Sequence, residues 1–225
     1  IKALYAGEVT MVDKWIGIFL EKVSDLGLLD NTLIIFLSDH GVPFGEHGII
    51  LKARPWPYEE LTHIPLIIRH PEGIGKGSKI KAFVDTTDIM PTILDFLEIH
   101  PKVQSRVKQT MHGHSLLPLL SKEIEKIRDY AYSGYYARSW SIRDEEWKYI
   151  LWLKPIEGFE DRTVLHTQRI KPELYNLKKD PNEKNDLFEE EREVADALEL
   201  RLRRFVADLT LPPSPYQVDV RTKRW

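Results

Sequence analysis

Leu37-Ser38-Asp39-His40-Gly41 closes an apolar, β-branched run, Thr32-Leu33-Ile34-Ile35-Phe36-Leu37, with a carboxylate and an imidazole side by side. In open α/β sheets ligands bind outside the carboxyl ends of strands, so Asp39 and His40 delivered together at such an edge are placed to hold a metal ion, and Gly41 lets the chain turn away at once. The same residues can equally form a plain turn, with Asp39 capping the backbone and His40 hydrogen-bonded beside it. The loop that follows brings Gly45-Glu46-His47-Gly48, Lys52 and Tyr58-Glu59 back toward the same edge. A lysine aimed at a tetrahedral oxyanion offsets the negative charge that builds up on a transferring group. Taken alone, Lys52 is also what a solvated loop lysine looks like. His112-Gly113-His114 has an alternate spacing that could grip a metal from a strand, but no carboxylate accompanies it, and it reads as the loop before a helix at Leu116-Leu117. His63 and His70 flank a strand and read as edge residues. Trp140, Trp147 and Trp152 lie in alternating segments, where large aromatics cover a sheet face.

Positioning these groups requires an α/β scaffold. Ala6, Val9, Val12, Ile16, Phe19, Leu20, Val23 and Leu26 recur at helical spacing, so Ala3 to Leu26 predicts one amphipathic helix stopped by Gly27. Thr32 to Leu37 then reads as a strand buried on both faces of a parallel sheet. Ser38 to His63 is long for a loop; connections of this length are functional or disordered, and its aromatic and charged content favours function. Ile64 to Ile68 and Ala82 to Val84 read as further strands, and Thr86-Thr87-Asp88 as the cap of a helix carrying Ile89, Ile93, Leu94 and Leu97. Past Leu120, Tyr130 to Tyr136, Ser139 to Arg143 and Trp147 to Leu153 look like an antiparallel meander. A terminal helix over Glu189 to Leu209 follows, opened by acidic residues that suit its dipole, and then an extended tail from Pro212. The division expected is an α/β core portion over residues 1–122 and a small α+β unit over 123–225.

Composition narrows the function. With 225 residues, 42% hydrophobic and 30% charged, the chain can bury one good core or two small ones. A formal net charge of -3 concentrates neither sign enough for a general nucleic-acid binder. Cys 0 removes disulfides, thiol chemistry and a cysteine nucleophile, and leaves the compartment open. No apolar run reaches the roughly 18 residues that span a bilayer, so a soluble chain without a membrane partner is expected. Ile1-Lys2-Ala3-Leu4-Tyr5 lacks an initiator Met and enters a helical pattern at once, which reads as a start within a longer protein.

Several stretches recur together in one known family: Tyr5 to Asp13, Leu28 to Gly41, Gly45-Glu46-His47-Gly48, Lys52, Tyr58-Glu59-Glu60, Ile64 to Arg69, Val84 to Leu94, Gly113 to Pro118, and Glu173 to Glu183. In order and spacing they resemble the C-terminal half of the sulfatase family, within the alkaline phosphatase superfamily. The resemblance implies part of an alkaline-phosphatase-like core sheet with flanking helices, plus a small C-terminal antiparallel sheet and helix. It implies Asp39 and His40 as metal ligands, Lys52 as the catalytic lysine on the sulfate or phosphate oxygens, and His47 as a substrate-binding residue of the same loop. Carboxylate ligation suits calcium, which is preferred, while the imidazole also admits manganese or zinc. The family's nucleophile, a formylglycine made within a Cys/Ser-x-Pro-x-Arg motif, has no counterpart here. It is expected in an N-terminal part outside this chain, without which the chain should lack turnover. The activity implied is hydrolysis of a small-molecule sulfate ester by the whole protein. The alternatives are a phosphodiesterase or phosphonate monoester hydrolase of the same superfamily and, in another class, a non-catalytic binding or scaffold domain. Association, either as an oligomer or with the absent half, is the partner expectation.

Overall fold

The computed structural model describes residues 1–48, 50, 56–99, 112–135, 138–153 and 171–209. Helix α1 (Lys2–Asp25) follows the expected periodicity and ends in a turn at Gly27, whose φ of 66 is the left-handed conformation that suits glycine. It buries none of its residues, and Trp15, Phe19 and Leu4 lie on its exposed surface. Strand β1 (Ile34–Leu37) follows a single helical turn at Leu29–Asn31. Helix α2 (Glu59–Thr62) and strand β2 (Leu66–Arg69) close the long loop.

β1 and β2 run antiparallel, with Ile34 opposite Arg69 and Leu37 opposite Leu66. The expectation of a parallel, doubly buried strand is corrected here. An apolar run reads alike in either orientation, and Phe36, Leu37 and Ile67 remain exposed. Among the described residues neither strand has a second neighbour. Ala82 to Val84, expected as a strand, forms none, because it finds no ladder partner there. As expected, Asp88 stands at the N-cap of α3 (Ile89–Phe96); Asp85 caps the helical turn Thr86–Asp88 before it, its side chain accepting from the Thr87 N–H while Asp88 accepts from the Asp85 N–H at 2.7 Å. A short helix α4 (Leu117–Leu120) follows.

The second unit is an antiparallel sheet in the order β3 (Ala131–Tyr135), β4 (Ser139–Arg143), β5 (Trp147–Trp152) and β6 (Glu173–Asn176), covered by helix α5 (Arg192–Asp208). The meander is as expected; β6 adds an unanticipated strand, and α5 starts three residues later than its acidic lead-in. Strand alternation sends Tyr149, Leu151 and Leu174 to one face, against Ala195, Leu198, Leu202 and Val206 of α5. The opposite face carries Ile150, Trp152 and Tyr175, and these pack on Tyr58 from the segment before α2. The sheet thus has one face for its own core and one for the first unit. Among the described residues no helix is long and apolar enough to cross a membrane. Lys52 and the tail from Pro212 lie outside the described residues.

Candidate metal centre at the end of β1

At the carboxyl end of β1 the backbone turns at Ser38, whose hydroxyl donates to the His40 carbonyl at 2.8 Å. The Asp39 carboxylate divides its two oxygens: Oδ1 accepts the His40 N–H at 2.9 Å, and Oδ2 stands 3.6 Å from His40 Nε2. His40 Nδ1 lies 2.8 Å from the Gly41 carbonyl oxygen. That oxygen only accepts, so Nδ1 carries a hydrogen, and Nε2 is the ring nitrogen that would offer a lone pair to a cation. Nε2 is shielded from solvent and makes no hydrogen bond among the described residues. A ring held by a backbone carbonyl through one nitrogen, with the other nitrogen beside a carboxylate oxygen, suits the residues present to a divalent cation. The turn expected as the plain alternative is also there: one carboxylate oxygen makes it and the other is directed toward the imidazole.

Gly41 is required by packing. Its N–H donates to the Leu61 carbonyl at 2.8 Å, and a Cβ at this position would come within 1.9 Å of the Glu60 carbonyl oxygen. The end of β1 is therefore docked backbone to backbone on α2. Asp39 and His40 open onto a cleft of about 1750 Å³ that is also lined by His63, Arg69, Arg128 and Arg143.

His47 does not line this cleft. Its turn is held by left-handed residues, Gly45 (φ 115), His47 itself (φ 54) and Gly48 (φ 73). Its imidazole stacks on the Tyr58 ring at 3.6 Å, with Nε2 3.7 Å from Glu60 Oε2. His47, Glu60 and Glu183 bring ligand atoms within 4.8 Å of one another, a second arrangement of metal-ligand type that sequence spacing did not reveal. The Lys148 ammonium already stands 3.0 Å from Glu183 Oε1 and 3.0 Å from Glu59 Oε1, so much of the negative charge there has a cation of the chain's own.

These contacts belong to a buried ionic layer between the units. Glu59 pairs with Lys148, with Arg143 and, at 3.5 Å, with His63 Nδ1. Burial pushes the Glu59 carboxyl up, but Lys148 and Arg143 outweigh it and hold the group below the usual glutamate value. Glu183 goes the other way: burial raises it, and Lys148 offsets only part of that. Glu183 Oε2 also accepts the Glu59 N–H at 2.7 Å. Glu173 accepts from Tyr58 and Tyr175 at 2.7 Å each and from Trp152 Nε1 at 3.0 Å. Trp152 thus does more than cover a face.

His112-Gly113-His114 is a loop, as expected. The His114 N–H donates to Asp88 at 2.8 Å, and Gly113 leaves no room for a Cβ beside the Thr87 carbonyl. Asp88, fully buried, also receives both terminal nitrogens of Arg128. Its proximity to a helix start was readable in the sequence; its partner 40 residues away was not.

A family model described as sulfatase matches residues 1–99. The chain is 34% identical over 193 residues to an arylsulfatase of Clostridium perfringens, covering 84% of this chain and 36% of that protein. It is 33% identical to an N-acetylglucosamine-6-O-sulfatase of Bacteroides thetaiotaomicron, covering 82% of this chain and 31% of the relative. The chain therefore spans about a third of the length of these relatives. Among solved structures, one of a protein in complex with its substrate D-glucosamine-2-N,6-O-disulfate superposes with a TM-score of 0.70 at 32% identity, covering 89% of this chain and 40% of that one. The phosphonate monoester hydrolase of Agrobacterium radiobacter superposes with a TM-score of 0.67 at 26% identity, covering 88% and 39%.

Proposed function

The chain belongs to the sulfatase family, and we propose that it is the C-terminal part of a longer, metal-dependent sulfuric ester hydrolase in which Asp39 and His40 hold a divalent cation, calcium by preference. The observation that carries this reading is the imidazole of His40, whose Nδ1 donates to the Gly41 carbonyl while Nε2, shielded from solvent, stands 3.6 Å from Asp39 Oδ2. Bound there, a divalent cation would supply Lewis-acid polarisation of the ester oxygens. Asp39 and His40 orient the substrate by fixing where that charge sits. Lys52 is proposed to meet the negative charge developing on the transferring group; His47, expected to bind substrate, lies outside the cleft with its ring stacked on Tyr58, and is assigned to holding the Gly45–Gly48 turn instead. The nucleophile proposed is a formylglycine supplied outside this chain, and the substrate a small-molecule sulfate ester.

The test is made on the full-length protein with an aryl sulfate and with an aryl phosphonate monoester, each in calcium and after chelation. Faster, calcium-dependent release from the sulfate supports the proposal. Faster release from the phosphonate moves the protein to the hydrolase resembled by the second superposed structure. No turnover on either, with the metal bound, favours a binding domain.

A further inference from the structure

A physical path runs from the second unit to the Asp39-His40 pair. His40 is oriented by the Gly41 carbonyl, and Gly41 is docked on the Glu60 and Leu61 carbonyls of α2. With four residues, α2 is too short to hold its own place. It is instead gripped from the second unit: the Tyr58 hydroxyl by Glu173 on β6, the Glu59 N–H by Glu183, and the Glu59 carboxylate by Lys148 on β5 and Arg143 on β4. Glu183 makes its contacts from a left-handed backbone, φ 50, in a nearly solvent-free position. A glutamate kept in that conformation costs backbone energy and persists only where its surroundings over-determine it. Lys148 is equally buried, so its grip on Glu59 depends on the opposite charge being present.

We propose that Glu173 and Glu183, on the second unit, are positioning residues for the metal pair: through Tyr58 and Glu59 they hold α2, and α2 holds the turn that aims His40 at Asp39. The proposal rests on the reading of Asp39 and His40 as metal ligands. It gives the C-terminal sheet a share in the chemistry, although none of its residues is proposed to touch metal or substrate. Tyr58 carries a second consequence, because the same ring stacks on His47.

Calcium affinity of the full-length protein, measured by titration calorimetry, separates positioning from plain stability. Glu183→Gln and Tyr58→Phe are each expected to weaken calcium binding about tenfold, as outer partners of metal ligands do. Turnover on an aryl sulfate should recover at saturating calcium, since Asp39 and His40 are intact. Tyr58→Phe removes one hydroxyl and keeps the ring on His47, so it decides the matter if Glu183→Gln fails to fold. A lowered melting temperature with an unchanged calcium constant in Tyr58→Phe or in folded Glu183→Gln overturns the proposal and leaves a structural tie. Asp39→Ala tests the underlying reading separately. If it binds calcium as the unsubstituted protein does, or if the unsubstituted protein binds none, that reading falls and the proposal with it. If Asp39→Ala loses binding while the other two variants keep it, only the positioning role is wrong.

Discussion

In the proposed metal site His40 and Gly41 show how much can rest on backbone. The ring nitrogen available to a cation is decided by a backbone carbonyl, and that carbonyl is located by a glycine that meets another backbone with no space for a methyl group. Gly41→Ala should therefore cost about 1–3 kcal/mol, since neither colliding partner is a movable side chain. Urea denaturation of the chain measures that loss, and calcium titration of the full-length protein should show weakened binding as well. His40→Ala should abolish calcium-dependent turnover of the full-length protein with little change in stability, because the ring is partly exposed and only Nδ1 is engaged in a hydrogen bond. Lys52→Ala is expected to spare calcium affinity and lower kcat on the order of a hundredfold, the scale of one lost oxyanion contact.

Helix α2 and the strands beneath it tie their stability to pH through Glu59. Its carboxyl sits below its ordinary 4.5 because Lys148 and Arg143 prevail over burial. The stabilisation it gives is complete above 4.5 and disappears as pH falls through the lower, folded value. Removing it leaves Lys148 buried with one carboxylate fewer, so Glu59→Gln should cost about 3–5 kcal/mol near pH 7. Urea midpoints taken from pH 7 to pH 3 should show the gap from the unsubstituted chain narrowing toward the acid end; a gap constant with pH would mean that charge is not the cause. Glu183 has the opposite slope, its carboxyl being raised by burial, so it favours the folded state as pH falls. On the other side of the sheet α5 packs chiefly through apolar side chains, with one hydrogen bond from the Tyr149 hydroxyl to Glu199 at 2.6 Å, and Leu202→Ala, at a fully buried position, should cost about 2–5 kcal/mol.

Taken whole, the molecule is unevenly covered. The second unit encloses its core between sheet and helix, whereas α1 buries nothing and the β1–β2 pair leaves Phe36 and Ile67 exposed. Among the described residues that pair also has no third strand. Exposed apolar surface beside unpaired strand edges invites association. Light scattering should find this chain self-associating and binding a hydrophobic dye, and the full-length protein doing neither.

Much of the local structure around the candidate site was legible without coordinates where chemistry and chain order coincide. Asp39-His40-Gly41 at the end of an apolar run, the helical spacing of α1, the meander of β3 to β5 and the loop character of His112-Gly113-His114 all follow from local rules of periodicity, turn chemistry and strand alternation. What escaped was long-range. An apolar run carries no sign of the direction its partner takes, so β1 pairing antiparallel with β2 could not be read from it. Ala82 to Val84 has strand composition without a ladder to join, and Glu173 to Asn176 becomes β6 because β5 offers it one. Glu59 with Lys148, Tyr58 with Glu173 and Glu183 with the Glu59 N–H join residues 89, 115 and 124 positions apart. Contacts of that kind have no spacing to recognise. They form because a buried carboxylate must find a cation or hydrogen-bond donors, and only the folded chain determines which of these arrive there.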